Sequence, residues 1–226
     1  MCASIIRLTI LAFTTIVIVG TQNITWDSYK FGLTWPPTYC YSYIRPIPDG
    51  VTSFTIHGLW PEIYPDIIPN CTAEEKFNLT LLNPLRPELN HKWPHLNNLS
   101  ATEIFWEREF EKHGQCAVQD PLIRSVFGYF KTALELYNRT DLFSTLRRYN
   151  IVPSNQTIYN SYKNYSLEEV RFCMNRSFAY INCSSYGICP EEFYFKPFFN
   201  SSELINVTRR PRWRPTKKPV TRRTRI

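Results

Sequence analysis

An apolar leader followed by six cysteines limits the folds that are open to this chain. The uncharged run from Leu8 to Val19 is too short to cross a bilayer and fits a signal peptide, so we expect residues 1–20 to be removed. No later stretch is apolar enough to span a membrane, which predicts no stable membrane insertion. An even cysteine set in an exported chain indicates up to three disulfides, whose pairing the spacing leaves open. The cysteines are Cys40, Cys71, Cys116, Cys173, Cys183 and Cys189.

The order of the predicted elements favours an α+β fold in one domain over residues 21–208. Strand patterns stand mostly at the two ends of this region, and helical patterns lie between them. The expected strands are Lys30–Trp35, 53–57, Ser166–Met174, Phe178–Cys183 and Glu192–Phe195. The expected helices are a short one over Thr72–Leu82, then 100–113, Pro121–Tyr137 and Asp141–Tyr149.

One of these helices carries three groups that can do chemistry. It is expected to begin at Ser100, which opens a capping-box pattern, and to end at Gly114. Glu109 lies four residues before His113, so the two are neighbours on a helix, and Lys112 sits at the edge of the same face. This pattern is typical of one wall of a reaction site. It also fits a surface helix on which the glutamate and the histidine merely pair.

A second segment supplies another imidazole. His57 stands where the strand 53–57 is expected to end, next to Gly58, and Trp60 follows on the adjoining turn. Two imidazoles can serve as general base and general acid, and a lysine can neutralise charge on a phosphoryl group. This set suits attack by a ribose 2′-hydroxyl on its own 3′-phosphate, without a nucleotide cofactor. The four histidines are scattered and no paired C-x-x-C spacing occurs, so we expect no metal site.

Two segments resemble the active-site signatures of the ribonuclease T2 family. They are Phe54–Pro61 and Phe105–Cys116, which occur in the family's order about fifty residues apart. Further similar segments are Leu33–Cys40, Leu134–Tyr137 and Leu167–Cys173, so the resemblance covers residues 26–195. It implies an antiparallel sheet packed with several helices. It also implies a monomeric, metal-independent endoribonuclease that cleaves single-stranded RNA through a 2′,3′-cyclic phosphate.

The resemblance also implies a role for each matching residue. His113 would be the base on the 2′-hydroxyl, and His57 the acid that protonates the leaving oxygen. Lys112 and Glu109 would stabilise the pentacoordinate phosphorus and position its oxygens. Trp60 would bind substrate beside the acid.

Arg108 departs from the family pattern, because many members have a third histidine there that is assigned to phosphate binding. An arginine fork also binds phosphate. We therefore expect Arg108 to bind substrate, and activity to survive with altered affinity or pH dependence.

The cysteine set is smaller than in typical members of the family. Two pairs, Cys71–Cys116 and Cys173–Cys183, match family bridges. The usual partners of Cys40 and Cys189 are missing, so these two either bridge each other or stay free.

The chain is rich in N-x-S/T acceptors, which predicts a heavily glycosylated secreted protein. Two further acceptors, Asn70 and Asn182, precede cysteines whose disulfides compete with a glycan. The acceptors expected to carry glycans are Asn23, Asn78, Asn98, Asn138, Asn155, Asn164, Asn175, Asn200 and Asn206.

The basic character of the chain belongs to its tail. Residues 209–226 carry nine Lys/Arg and no acidic residue, whereas residues 21–208 have a net charge of −3. We expect the tail to be disordered. It can bind RNA, anionic polysaccharides or an anionic cell surface, or it can be a solvated extension without a dedicated partner.

Two classes of function compete. The first is a secreted ribonuclease that digests RNA outside cells or in lysosome-like or endosomal compartments, or that acts as a toxin or recognition effector after uptake by another cell. The second is a glycoprotein that binds glycosaminoglycan or nucleic acid and uses the ribonuclease fold as a scaffold. Losing either histidine should abolish cleavage in the first class and leave binding intact in the second.

Overall fold

The computed structural model describes residues 26–64, 66–154, 165–183 and 193–199. The leader, Cys189 and the basic tail therefore lie outside the described residues. Three strands of the described chain form one antiparallel sheet in the order β2–β1–β3, and helices pack with it. With two disulfides, this arrangement confirms the expected α+β class.

Most helices lie between the second and third strands, as expected, whereas the helix that follows the first strand was not predicted. The strands are β1 (Ser28–Thr34), β2 (Thr55–Glu62) and β3 (Glu169–Asn175). The helices are α1 (Pro36–Tyr43), α2 (Arg86–Lys92), α3 (Thr102–Glu109), α4 (Gln115–Ala117), α5 (Val126–Thr140) and α6 (Leu142–Arg148). A π-helical turn, Phe110–Gly114, joins α3 to α4, and 3-10 turns lie at Leu79–Leu82 and Leu99–Ala101. No helix in the described part of the chain has both the length and the apolar character needed to cross a bilayer.

The central strand β1 supplies the sheet side of the core. Tyr29, Phe31 and Leu33 alternate along it, so they share one face, and none is more than 1% exposed. They belong to one apolar cluster with Trp93, which directly follows α2, and Phe130 of α5. Burial of each such side chain contributes about 1.5–3 kcal/mol to folding.

Two side chains, one directly after α2 and one from α5, fix the middle of β2. The Trp93 indole Nε1 donates to the carbonyl oxygen of His57 at 3.0 Å. The Tyr129 hydroxyl donates to the carbonyl oxygen of Leu59 at 2.9 Å. Buried indole and phenol groups need such partners, so the helices hold β2 on both sides of Gly58.

The disulfides are the two that the family resemblance implies. Cys71–Cys116 joins the loop after β2 to α4, and Cys173–Cys183 joins β3 to the segment that follows it. Cys40 is a buried free thiol, and Cys189 lies outside the described residues.

The expected end of the second strand at His57 is wrong. β2 continues to Glu62 because it pairs with β1 along its length. Trp60 therefore lies within the strand and not on a turn.

The expected limits of the helix 100–113 are also wrong. The α-helix begins at Thr102, and the residue that caps is Asn98, not Ser100. The Asn98 side chain accepts from the Ser100 amide at 3.1 Å and caps the 3-10 turn Leu99–Ala101 that leads into α3. Gly114 does not end the helix, since the π turn passes through it into α4.

Two other helix predictions need correction. Within Thr72–Leu82 only a 3-10 turn forms, whereas α2 was missed because Pro87 looked like a loop signal. Proline is in fact favourable in the first helical turn. α5 begins at Val126 and not at Pro121, because Arg124 has a left-handed φ of 64° and Ser125 caps the helix.

The two last predicted strands are not strands in the described residues. Tyr180 makes a single bridge to Met174, because the chain turns at Phe178, where φ is 58°. Tyr194 makes a single parallel bridge to Ser166.

Candidate active site

A β-bulge aims the first histidine. Gly58 stands opposite Gly32 of β1 and Ile56 stands opposite Leu33, so His57 is an extra residue without a cross-strand partner. In a regular strand, residues 57 and 60 would face opposite sides of the sheet. The extra residue changes this alternation, as bulges beside functional sites commonly do. The rings of His57 and Trp60 meet edge to face, with their centroids 5.0 Å apart.

Trp60 lies between the two imidazoles. Its ring centroid is 5.8 Å from that of His113. The ring lies across the backbone of Gly32, where a Cβ would be only 2.7 Å from Trp60 Cη2. At Gly58 a Cβ would lie 2.6 Å from Trp60 Cε2 and closer still to the Glu109 carboxylate. Both glycines are therefore required for the close approach of this ring.

Glu109 binds the tryptophan and not the histidine four residues later. Its Oε2 accepts a hydrogen bond from Trp60 Nε1 at 2.9 Å. The helix changes to π geometry directly after Glu109, which alters the four-residue alignment with His113. Burial raises the pKa of Glu109, although the Trp60 hydrogen bond and the charges of His57 and Lys112 oppose this.

His113 is a buried imidazole, only 5% exposed. Its Nδ1 has no hydrogen-bond partner among the described residues. Burial chiefly, with the positive charges of Lys112 and His57, lowers the pKa of His113 to about 3. The ring is therefore neutral at mildly acid and neutral pH, and it can accept a proton.

His57 has the opposite electrostatic environment. Burial by itself lowers its pKa, but the hydrogen bond and charge of Glu169 and the charge of Glu109 outweigh it, so the pKa is raised. The Nδ1–H group donates to Glu169 Oε2 at 2.5 Å. The side chain is 41% exposed, so the imidazolium can reach a ligand.

One cavity of about 380 Å³ brings the predicted groups together. We call its β2 and β3 side the strand wall. His57 and Arg171 line this wall, and Glu169 supports it through its hydrogen bond to His57 Nδ1. The opposite side of the cavity, with Glu109, Lys112 and His113, is the helix wall. The predicted residues that line the cavity are His57, Trp60, Glu109, Lys112 and His113.

Arg108 is not among the residues that line this cavity. Arg108 is exposed on α3. The pKa of His95 is lowered chiefly by the burial of that ring, and the positive charge of Arg108 lowers it further. His95 stacks on Phe105, with centroids 5.1 Å apart, beside a smaller hollow that also reaches His57. The predicted contact between Arg108 and the substrate remains a prediction, and it would lie on the side of this smaller hollow.

Sequence reasoning missed a charged cluster at the other end of the cavity. Lys30 is 7% exposed, and its Nζ lies 2.9 Å from Asp66 Oδ1 and 3.1 Å from Glu62 Oε2. A lysine inside a strand of otherwise apolar residues was a signal for this cluster. In β3, charges at Glu169 and Arg171 share one face, which was the signal for the missed part of the strand wall.

No group of three or more His, Cys, Asp or Glu side chains in the described ranges is arranged to hold a metal ion.

Known proteins match both the sequence and this fold. The model of the Ribonuclease T2 family matches residues 26–186. Ribonuclease Oy from Magallana gigas is 28% identical over 211 residues, which cover 78% of this chain and 99% of that protein. Human ribonuclease T2 is 36% identical over 134 residues, which cover 59% of this chain and 51% of that protein. A variant of ribonuclease MC1 from bitter gourd seeds, solved with 5′-GMP, has a TM-score of 0.64 and 27% identity, covering 75% of this chain and 100% of that one.

Proposed function

This chain belongs to the ribonuclease T2 family of endoribonucleases, and we propose that it cleaves single-stranded RNA by transphosphorylation through a 2′,3′-cyclic phosphate. The reaction uses side chains alone. The 5′-GMP complex of the related ribonuclease MC1 variant supports a nucleotide ligand.

The observation that carries the proposal is the opposite state of two imidazoles across one cavity. The pKa of His113 is lowered to about 3 and that of His57 is raised. A pair of titratable groups whose surroundings separate their pKa values identifies the base and the acid. At mildly acid pH, His113 is ready to take a proton while His57 holds one to give.

The first step balances with these two groups. Neutral His113 takes the proton of the ribose 2′-hydroxyl, and the 2′-oxygen forms a bond to phosphorus. The bond from phosphorus to the 5′-oxygen of the next nucleotide breaks, and His57 donates its proton to that oxygen. The products are a 2′,3′-cyclic phosphate and a free 5′-hydroxyl. Proton exchange with water then restores both imidazoles.

Lys112 and Glu109 act on the phosphoryl group between the histidines. Lys112 is exposed beside His113 and offers an ammonium to the negative charge that builds on the phosphoryl oxygens. Glu109, held by Trp60 Nε1, orients the oxygens from the same wall. Trp60 separates the two imidazoles and keeps each on its own side of the phosphorus.

Secretion, glycosylation and a role for the tail are further parts of the proposal. The apolar leader supports export, and the acceptor asparagines Asn78, Asn98 and Asn138 are exposed. We propose that the protein acts outside cells or, after uptake, in acid compartments. The tail 209–226 would strengthen binding to RNA or another polyanion, with an affinity that falls as salt rises.

The test is cleavage of single-stranded RNA at mildly acid pH in excess EDTA. The secreted protein should produce cyclic-phosphate ends. His57→Ala and His113→Ala should each lose about 10²–10⁴-fold in rate while still binding RNA. Folded native protein that binds RNA without cutting it would favour the binding glycoprotein instead.

A further inference from the structure

The third strand places a carboxylate and a guanidinium against the acid histidine. Glu169 and Arg171 stand opposite Thr34 and Gly32 in the β1 register, on the sheet face that carries Gly58. Neither residue belongs to the two signature segments. Glu169 is the hydrogen-bond partner of His57 Nδ1, and its second oxygen accepts from Arg171 Nε.

We propose that Glu169 is a positioning residue for the general acid His57. Arg171 is the counter-ion of Glu169 and weakens the effect of that carboxylate on His57. This rests on the proposed ribonuclease function. Glu169 keeps a proton on Nδ1 of His57 and turns Nε2 towards the cavity. Arg171 occupies the second oxygen of the carboxylate.

The hydrogen-bond chemistry fixes which nitrogen delivers the proton. An ionised carboxylate only accepts hydrogen bonds, so the Nδ1 that touches it carries hydrogen. The imidazolium therefore loses its Nε2 proton, and the neutral ring keeps Nδ1–H bonded to Glu169. Burial raises the pKa of Glu169, but His57 and Arg171 outweigh it and the pKa is lowered, so the carboxylate stays ionised.

Arg171 acts on the same histidine with the opposite sign. Its guanidinium carbon lies 5.4 Å from the centre of the Trp60 ring, on the rim of the cavity. Its charge lowers the pKa of His57, whereas the Glu169 carboxylate raises it. Replacing Glu169 should therefore lower the pKa of His57, and replacing Arg171 should raise it.

The other charged groups that face His57 come from the helix wall and from the residue before Glu169. Glu109 raises the pKa of His57 from α3, and Lys112 and His113 stand across the cavity. Glu168 interacts with His57 through charge only, because it makes no hydrogen bond to the ring. Glu168→Gln is thus a matched control that removes one carboxylate from the neighbouring position.

The experiment follows the four histidines by NMR through a pH titration in three variants of the full secreted protein. Glu169→Gln should lower the pKa of His57 by about one unit. Arg171→Gln should raise it by a smaller amount, and Glu168→Gln should change it less than Glu169→Gln does. An unchanged His57 in folded Glu169→Gln, or equal shifts in Glu169→Gln and Glu168→Gln, would overturn the proposal.

The pH dependence of kcat is a second readout, and it would not change if Glu169 had only a structural role. The loss of kcat in Glu169→Gln should be larger near pH 7.5 than near pH 5, because His57 is protonated at the lower pH in both proteins. A loss that is equal at both pH values would mean that the variant only perturbs packing. The NMR titration needs no RNA, so its outcome stands even if the protein does not cleave RNA.

Discussion

The two walls of the cavity hold their histidines by different means. On the strand wall, His57 is 41% exposed and bonded to a carboxylate, which stabilises its charged form. On the helix wall, His113 is 5% exposed, its Nδ1 has no partner among the described residues, and a lysine stands beside it. The strand wall raises the pKa of its histidine with a charged partner, and the helix wall lowers the pKa of its histidine chiefly by burial.

Two copies of one side chain thus obtain opposite roles from their surroundings. A partner of opposite charge favours the protonated ring, and a dry site with nearby positive charge favours the neutral ring. The five-residue π turn Phe110–Gly114 and the bulge at His57 supply both environments within one cavity.

The largest expected effect concerns stability in acid. The pKa of His113 is about 3 in the folded protein and ~6.5 in an unfolded chain. Between these values only the unfolded chain binds the proton, so the free energy of unfolding falls as pH falls, by up to ~5 kcal/mol. His113→Gln should lose less stability than the native protein between pH 6.5 and pH 4 in urea unfolding.

The strand wall should show the opposite sign. The raised pKa of His57 means that its contribution is complete below ~6.5 and disappears as pH rises through the folded value. Equal pH dependence of unfolding for His57→Gln and His113→Gln would erase the difference between the walls.

The next effect tests the cation of the helix wall. Lys112→Met removes the ammonium beside the phosphoryl group and should lower kcat by about 10²–10³-fold. It should also raise the pKa of His113, so the acidic limb of the pH–rate profile moves to higher pH. Lys131→Met, an exposed lysine of α5 paired with Glu135, is the matched control and should change neither quantity.

A smaller effect is expected from disturbing the contact between the two walls at Gly58. Gly58→Ala inserts a methyl group into the contact between Trp60 and the Glu109 carboxylate. We expect kcat/KM to fall about 10²-fold, because displacing catalytic groups by about an ångström lowers the rate by that factor. Steady-state kinetics and thermal unfolding of the same preparation measure it. A variant with native kinetics would show that this close contact is unnecessary.

The smallest effect isolates one hydrogen bond. Trp60→Phe keeps an aromatic ring between the histidines and removes the donor to Glu109. The pKa of Glu109 should rise further, since that bond lowers it, and kcat should fall about tenfold. A pH–rate profile and infrared titration of the carboxyl group measure the two changes.

Much of the site was predictable because its groups lie in two short segments. Glu109, Lys112 and His113 share a helix, and His57 and Trp60 share a strand, so local spacing already grouped them. The bulge at His57 was not predictable, since it depends on the register with β1. Glu169 was missed because its link to His57 spans 112 positions and exists only in the assembled sheet.

The fold followed the same division between local and long-range information. The alternation in β1 and the apolar pattern of α5 were visible in the sequence. The π turn at Phe110–Gly114 and the left-handed φ of Arg124 were not, because neither follows from the preferences of its residues: arginine has a Cβ and is uncommon at positive φ.

The most direct test of the acid and base assignment uses an RNA dinucleotide whose scissile 5′-oxygen is replaced by sulfur. A thiolate leaves without protonation, so this substrate needs the base but no acid. The native protein, His57→Ala and His113→Ala should be compared on the oxygen and sulfur substrates. Recovery of cleavage by His57→Ala alone on the sulfur substrate is the result we predict. Recovery by His113→Ala, or by neither variant, would contradict the assignment of the two walls.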